Sequence, residues 1–456
     1  MNNKTLKLIL IIITSIILIL ISLIIVFIMN TNRNENLNSS SEEKDEPAIS
    51  EITPLPEIKP ETPSPQPEPD PTPEPESESE PEPEPEDIII DINEMYPELN
   101  DSLDSISKKY NSVAVSLAYY DGDMGEYYIY RNGYSDRAAE QLVDENTKFR
   151  VASLAKLVTV ICAMTLVDSG DLDLDEDISV YLGYEVRNRR FPDTPVTSRM
   201  LMQHISSIHD SSDFQSSLMA SESKPIQELL EMRSTFGSWE PGTRFEYTNF
   251  GYAALGAVCE IISGKVLDTL AREVIFEPLE IDAAFIAENL QDTENIAVIY
   301  NYSHRPTRTV EAQLKITGSG LPGHDHNFAQ GGLMISAIDY AKILNMLGNK
   351  GSLHGAEILT PRSVQEINNT NVQGRAYEQG LATRYSHEMF AEDEGFFWHT
   401  GSAYGIFAQY MYSADGTNRG VVVITTGANT NRLSNRMFEV STDLSIAAWR
   451  YIEENP

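Results

Sequence analysis

The sequence predicts an α/β (α+β) domain in which helices flank an antiparallel sheet built from both ends of the chain, beside a mostly helical lobe. Two observations support this. Apolar and polar residues alternate as in strands near the start of the globular part and again near its end. The residues between these stretches are predicted to form mainly helices and loops. Strands at both ends favour one sheet whose neighbouring strands are distant in sequence.

The first predicted elements are a helix and a hairpin. Apolar residues recur at helical spacing in "EMYPELNDSLDSISKKY" (94–110). The next two stretches, "SVAVSLAYY" and "EYYIYRNGY", are rich in β-branched and aromatic residues and are joined by the turn residues "DGDMG". They are therefore predicted to pair as a β-hairpin.

The next predicted helix lies in the interior of the domain. Residues 153–170, "SLAKLVTVICAMTLVDSG", are apolar on nearly every side and end in glycine. Strand patterns return at "GFFWHTGS", "YGIFAQYMYSADG" and "RGVVVITTGA", and a final helix is predicted in "NRMFEVSTDLSIAAWRYIEEN". Ligands tend to bind where a sheet and a helical lobe of this kind meet.

Residues 1–31 are predicted to be a cytoplasmic stub and a transmembrane anchor. The segment 8–29, "LILIIITSIILILISLIIVFIM", contains no charge and would span roughly 33 Å as a helix. No small-residue cleavage site follows it, which favours an uncleaved anchor over a secretory signal. Lys4 and Lys7 precede it, so the positive-inside rule places the N-terminus in the cytoplasm. We therefore expect a single-pass cell-membrane protein with an extracytoplasmic catalytic domain.

Residues 32–87 are predicted to be a disordered linker rich in proline and glutamate. The stretch 47–87 holds 14 of the chain's 24 prolines. Proline favours the extended polyproline II conformation and neighbouring glutamates repel each other, so no core can form. The simplest interpretation is a passive spacer, and the alternative is a docking segment for proline-binding modules. Residues 88–456 then form the globular domain.

Charge and cysteine content exclude some classes of protein. The formal net charge of −36 argues against nucleic acid and anionic membrane surfaces as partners. The only two cysteines, Cys162 and Cys259, each lie in an apolar, helix-like run. Stability therefore does not depend on a disulfide framework, although one bridge between them would be compatible with the sequence.

A serine followed three residues later by lysine is the first catalytic candidate. This pattern occurs four times, as Ser41/Lys44, Ser105/Lys108, Ser153/Lys156 and Ser221/Lys224. The first pair lies in the predicted linker, the second on a polar helix, and the last immediately before a proline, which disfavours helix. Only Ser153 and Lys156 begin the buried helix, and their spacing puts both on one face.

Such a pair can act as a nucleophile and its base. Ser153 at a helix start lies beside free backbone N–H groups and the positive end of the helix dipole. Burial without a carboxylate lowers the pKa of a lysine, so that Lys156 could be neutral. The alternative is a buried serine beside a lysine whose ammonium reaches solvent.

Two further motifs decide between these interpretations. Tyr247 and Asn249 form Tyr-x-Asn in "PGTRFEYTNFGYAALG", just before a predicted helix. His399, Thr400 and Gly401 end a predicted strand in "WHTGSAYG". Glycine there would let a substrate lie against the strand without a Cβ in the way.

In this order the three motifs resemble those of the penicillin-recognising serine hydrolases, which include class C beta-lactamases, low-molecular-weight DD-peptidases and related esterases. The resemblance covers about residues 95–453 and extends to the flanking stretches "FRVASLAK", "LMQHISS" and "AQGGLMIS". It implies the beta-lactamase/transpeptidase-like fold and chemistry that needs no cofactor or metal. The metal-like composition of "GHDH" (323–326) lacks the spacing of a zinc site and does not change this expectation.

The resemblance also implies roles for individual residues. Ser153 would be the acylated nucleophile, Lys156 its proton acceptor, and Tyr247 the phenol that relays a proton to the leaving group. The backbone N–H groups of Ser153 and Ser402 would form the oxyanion hole. The implied substrate-binding residues are Asn249, His399, Thr400, Gly401 and Ser402.

One residue departs from the class C beta-lactamases, which usually have Lys-Thr-Gly where this chain has His399. A lysine ammonium binds a beta-lactam carboxylate at any ordinary pH, whereas the ordinary pKa of histidine is about 6.5. The sequence therefore favours hydrolysis of D-alanyl-containing wall material, as a DD-carboxypeptidase, an endopeptidase or a D-alanyl esterase. The alternatives are a beta-lactamase and a slowly deacylating penicillin-binding sensor. The expected partners are a peptidoglycan peptide, D-alanyl ester or beta-lactam, and the membrane through the N-terminal helix.

Overall fold

The computed structural model describes residues 87–220, 224–374, 376–387 and 395–455. The predicted anchor lies outside these residues, as does the predicted linker up to residue 86. The strands are β1 Ile88–Asp91, β2 Ala114–Asp121, β3 Glu126–Asp136, β4 Gln141–Leu142, β5 Phe149–Arg150, β6 Ile299–Tyr300, β7 Pro306–Arg308, β8 Met334–Ile335, β9 Ser352–Leu353, β10 Ala356–Glu357, β11 Val372–Gln373, β12 Glu378–Gln379, β13 Arg384–Ser386, β14 Phe396–Ala403, β15 Ile406–Ser413 and β16 Arg419–Thr426.

The main sheet joins the two ends of the domain, as predicted. Its order is β1-β3-β2-β16-β15-β14-β13-β12-β11, with β4 paired to β3. The predicted hairpin is β2–β3, and β16 pairs antiparallel with β2. One pairing differs from the expected all-antiparallel sheet, because β1 runs parallel to β3. Helices separate β1 from the hairpin, so the chain can return to the edge of β3 in the same direction.

The helices are α1 Ile92–Met95, α2 Pro97–Lys109, α3 Ala155–Asp168, α4 Ile178–Leu182, α5 Ser198–Met202, α6 Ser212–Met219, α7 Ile226–Leu230, α8 Asn249–Ser263, α9 Leu267–Ala271, α10 Val310–Leu314, α11 Ala337–Gly348, α12 Pro361–Ile367 and α13 Glu439–Glu454. Most lie between the two groups of sheet strands, which agrees with the predicted helical lobe. Across the described ranges no single helix is long and apolar enough to cross a membrane, although α8 and the segment Leu267–Phe276, bent by 73°, pass that test together.

Both faces of the sheet are covered, which explains the composition of its central strands. Every residue of β2 is buried. Tyr119 belongs to the core beneath α2 and α13, and the next residue, Tyr120, belongs to the larger core that contains α3 and α11. Successive side chains of a strand point to opposite faces, so both of these tyrosines are buried, one in each core.

The helix α3 is the buried helix that the sequence predicts. Its residues from Ala155 to Met164 are all buried, and it packs against α8. Cys162 on α3 and Cys259 on α8 are both buried and both free thiols. Packing rather than a disulfide therefore holds these two helices together, and α3 carries its N-terminal turn to the sheet.

Candidate active site

A short turn between β5 and α3 carries Ser153. Residues Ala152–Leu154 form a 3₁₀ turn that leads directly into the helix. Ala152 has a φ of +49°, in the left-handed region that costs energy for a residue with a Cβ. Neighbouring segments hold the turn, because Val151 N donates to Leu333 O over 3.0 Å and Tyr340 Oη donates to Leu154 O over 2.9 Å. The turn presents the Ser153 side chain to a cavity.

The Lys156 side chain is completely buried and its amine contacts three oxygen atoms. Its Nζ lies 3.2 Å from Ser153 Oγ, 2.9 Å from Asn249 Oδ1 and 2.7 Å from Gln330 O. Burial lowers the pKa of Lys156 below its ordinary value. In the neutral form, two N–H groups can donate to the carbonyl-type oxygens of Asn249 and Gln330, which only accept. The lone pair then points toward Ser153, where it can accept the hydroxyl proton.

Tyr247 lies beside this pair. Lys156 Nζ is 5.2 Å from the centre of the Tyr247 ring. The centres of the Tyr247 and His204 rings are 4.3 Å apart. Burial alone would raise the pKa of the Tyr247 phenol, but the charge that Lys156 carries when protonated and the charge of Arg384, with hydrogen bonding to Ser153 and Lys156, lower it below the ordinary value. A phenol with a lowered pKa next to a serine and a lysine can pass protons between them and a leaving group.

Asp210 is a residue of the site that the sequence analysis did not identify. Its Oδ1 accepts from Thr248 Oγ1 (2.9 Å), Asn249 N (2.7 Å) and Phe250 N (2.9 Å) at the start of α8. Its Oδ2 accepts from Asn249 Nδ2 over 2.9 Å. This last bond fixes the orientation of the Asn249 amide, so that its Oδ1 faces Lys156. In the sequence, the only feature that could have indicated Asp210 is its position three residues after "LMQHISS".

The strand β14 passes next to the Ser153 turn, and Gly401 permits this approach. A Cβ at Gly401 would lie 2.2 Å from Val151 O and 3.3 Å from Ser153 N. The glycine is therefore required by the packing of the strand against the turn. This reason differs from the expected one, which was clearance for a substrate. Ser402, the next residue, is exposed at the cavity.

His399 occupies a different place from the other predicted residues. Its side chain is only 1% exposed and does not line the cavity. Its Nδ1 lies 2.9 Å from Thr400 O. Burial, together with the nearby charges of Arg384 and Lys156, holds the pKa of His399 well below its ordinary value. The imidazole is therefore neutral at physiological pH, not titrating near 6.5 as the sequence suggested.

Arg384 supplies the fixed positive charge that His399 lacks. This second missed residue is only 6% exposed, lines the cavity, and has Nη1 3.4 Å from Thr400 Oγ1. Its guanidinium lies 5.5 Å from the centre of the Tyr247 ring. The Arg384 Nε is buried without a hydrogen-bond partner among the described residues.

The cavity measures about 770 Å³. It brings together Ser153, Tyr247, Asn249, Thr400 and Ser402 on its wall, with Lys156 buried beneath. Its charged lining residues are Glu246 and six bases, Arg150, Arg308, Lys315, Arg384, Arg432 and Arg436. In a chain of net charge −36 such a lining favours an anionic ligand. The described residues contain no group of three or more His, Cys, Asp or Glu side chains able to hold a metal ion.

A turn that presents Ser153 to a cavity between a helical lobe and a large sheet, with the buried amine of Lys156 beside the serine, defines a candidate serine-hydrolase site. The sequence matches the family described as "Beta-lactamase" over residues 99–443, so the chain belongs to the beta-lactamase family.

Two curated proteins are similar to parts of this chain. The chain is 26% identical over 236 residues to a putative fimbrial assembly protein FimD of Dichelobacter nodosus, covering 50% of this chain and 56% of that protein. It is 28% identical over 178 residues to penicillin-binding protein 4 of Amycolatopsis lactamdurans, covering 39% and 45%. The chain thus spans about half the length of the curated relatives it matches.

Solved structures establish the fold. The octameric penicillin-binding protein homologue of Pyrococcus abyssi superimposes with a TM-score of 0.62 at 21% identity, covering 79% of this chain and 78% of that one. A class C beta-lactamase gives a TM-score of 0.61 at 19% identity, covering 78% and 97%. The predicted beta-lactamase/transpeptidase-like fold is confirmed.

Proposed function

We propose that the chain is an extracytoplasmic serine hydrolase that acts through an acyl-enzyme on D-alanyl-containing cell-wall material. The observation that carries this proposal is the set of three oxygen contacts to Lys156 Nζ. The oxygens Asn249 Oδ1 and Gln330 O can only accept hydrogen bonds, so they direct the lone pair of a neutral amine at Ser153 Oγ, 3.2 Å away. Burial, which lowers the pKa of Lys156, favours that neutral form.

The reaction follows in two steps. Lys156 takes the Ser153 proton while Oγ bonds to the substrate carbonyl carbon, and the N–H groups of Ser153 and Ser402 receive the oxyanion. The bond to the leaving group then breaks as Tyr247 gives that group a proton, which Lys156 restores. In the second step water loses a proton to the same groups as its oxygen bonds to the ester carbon, and the bond from that carbon to Ser153 Oγ then breaks as Oγ takes the proton back.

Arg384 favours a leaving group that carries a carboxylate. It is a buried cation beside Thr400, and the neighbouring imidazole of His399 carries no charge. A guanidinium matches a carboxylate with two parallel hydrogen bonds. This supports a D-alanyl-D-alanine peptide, whose leaving D-alanine bears the carboxylate, over a D-alanyl ester that lacks an acid. A beta-lactam also carries a carboxylate, so the charge does not separate a peptidase from a beta-lactamase. The rate of deacylation distinguishes these two activities.

The proposed location rests on the sequence alone. The uncharged segment 8–29 would anchor the chain in the cell membrane, and the proline-rich residues 32–87 would hold the domain near the wall. Protease added to intact cells should release a domain of about residues 88–456. An already shortened protein in the medium would mean that the segment is a cleaved signal.

The experiment uses the intact protein with penicillin and, separately, with a D-alanyl-D-alanine peptide. We expect a one-to-one penicilloyl adduct on the peptide containing Ser153, persisting for minutes and absent in Ser153→Ala, together with release of D-alanine. Rapid loss of penicillin without an adduct would identify a beta-lactamase. A stable adduct without turnover of any D-alanyl substrate would identify a sensor.

A further inference from the structure

Five of the six bases that line the cavity form two groups on opposite sides of Ser153. Arg384 interacts electrostatically with Arg432, which in turn lies near Arg436. Arg150 interacts in the same way with Arg308. The second group has no part in the chemistry proposed above. Its position shows which part of a substrate it would contact.

The strand β14 gives the order of these features along the cavity. Thr400 contacts Arg384, Gly401 lies against the Ser153 turn, and the ring of Tyr404 lies 3.8 Å beneath the Arg308 guanidinium. The extended chain from Thr400 to Ala403 spans roughly 10 Å, and Tyr404 lies in the turn that follows it. The nucleophile therefore lies between the two groups of cations. If Arg384 holds the leaving group, as the proposed function has it, the second group faces the acyl part of the substrate.

The two guanidiniums retain donors for a ligand. Arg150 Nε donates to Gly331 O over 3.2 Å, and Arg308 Nη1 donates to Thr307 O over 2.8 Å. Each guanidinium carries five N–H groups, and within the described ranges neither has a carboxylate within 4.0 Å. Two like charges brought together without a counter-ion destabilise the fold, and an anionic ligand would offset this.

Resting on the proposed function, we infer that Arg150 and Arg308 bind an anionic group, a carboxylate or a phosphate, on the acyl part of the substrate. The cavity then selects substrates that are negatively charged on both sides of the scissile bond. Tyr404 supports this role, because its backbone is held in the left-handed region (φ +59°) and its carbonyl accepts from Thr307 Oγ1 over 2.6 Å. The aromatic floor under Arg308 is therefore fixed in place.

The test uses simple aryl esters that contain no D-alanyl group, so that only the charge of the acyl part is varied. Nitrophenyl monoesters of dicarboxylic acids from glutarate to suberate are compared with neutral nitrophenyl alkanoates of equal chain length, after subtraction of the rate without enzyme. We expect kcat/KM to favour the charged ester by about tenfold or more at the best chain length. Added salt should reduce this ratio because the cavity is open to solvent. A phosphate-terminated ester of the same length distinguishes the two kinds of anion.

Variants connect the preference to the two arginines. The charged-to-neutral ratio should fall toward one in Arg150→Gln/Arg308→Gln and be partly kept in Arg308→Lys. Arg305→Gln is the matched control, because Arg305 is exposed, adjoins β7, and lies off the cavity wall. A wild-type ratio at or below one for every chain length overturns the inference, as does a ratio that Arg308→Gln leaves unchanged. Failure to hydrolyse either kind of ester would overturn the acyl-transfer chemistry itself.

Discussion

The substitution Asp210→Asn tests whether the orientation of one amide controls acylation. An asparagine that keeps the bonds to Thr248 Oγ1, Asn249 N and Phe250 N must direct its own NH₂ group at Asn249 Nδ2. Two NH₂ groups would then face each other, and the side-chain amide of Asn249 would rotate to exchange its oxygen and nitrogen positions. Its Nδ2 would face Lys156, and the 2.9 Å bond from Lys156 Nζ to Asn249 Oδ1 would be lost.

The expected effect follows from that bond. A hydrogen bond to a group that is charged in part of the cycle contributes about 1.5–3 kcal/mol, so acylation of Ser153 should slow about 10- to 100-fold. Intact-protein mass spectrometry measures this rate with penicillin or an aryl ester, and a melting curve confirms that the variant folds. Asp213→Asn, the same change at an exposed position of α6, is the control. Wild-type acylation by Asp210→Asn would show that the Asn249 amide does not direct the lysine.

Three further predictions concern the relay, the strand and the buried histidine. Tyr247→Phe should slow both acylation and deacylation by about 10²–10⁴-fold in stopped-flow and adduct-decay assays, and full activity would refute its role. Gly401→Ala should lower the melting temperature and the acylation rate together, because the new Cβ would meet Val151 O at 2.2 Å; a normal rate would show that β14 can shift freely. The pKa of His399 is depressed in the folded state, so below about pH 6.5 only the unfolded chain takes up a proton there. The free energy of unfolding should then fall with decreasing pH by up to about 1.4 kcal/mol per unit, and His399→Asn should flatten this slope in denaturant titrations.

Local patterns were sufficient to predict the principal elements of the fold. The hairpin β2–β3, the buried helix α3 and the three C-terminal strands each have an apolar or aromatic and β-branched pattern that extends over eight residues or more. The edge strand β1 has only four residues, too few to show a period, and its parallel pairing depends on the path of the helices after it.

The residues of the site were predictable only where they belong to a motif. Ser153 and Lys156 are one helical turn apart, so their contact follows from local geometry. Asp210 and Arg384 reach the site from segments with no distinctive pattern, and their roles depend on contacts across the fold. His399 matched a motif, but the depth of its burial depends on neighbouring strands and helices that the local sequence does not reveal.

The order of strands in the sheet also determines when the domain can assemble during synthesis. Arg419 of β16 pairs with Asp121 of β2, 298 residues earlier. At a synthesis rate of about 5–20 residues per second, β16 is made on the order of 15–60 s after β2. An unpaired strand edge is a template for association with other chains. The edge of the nascent hairpin therefore stays unpaired during this time, and Ser153 has no neighbouring strand on the β14 side until β14 has been made.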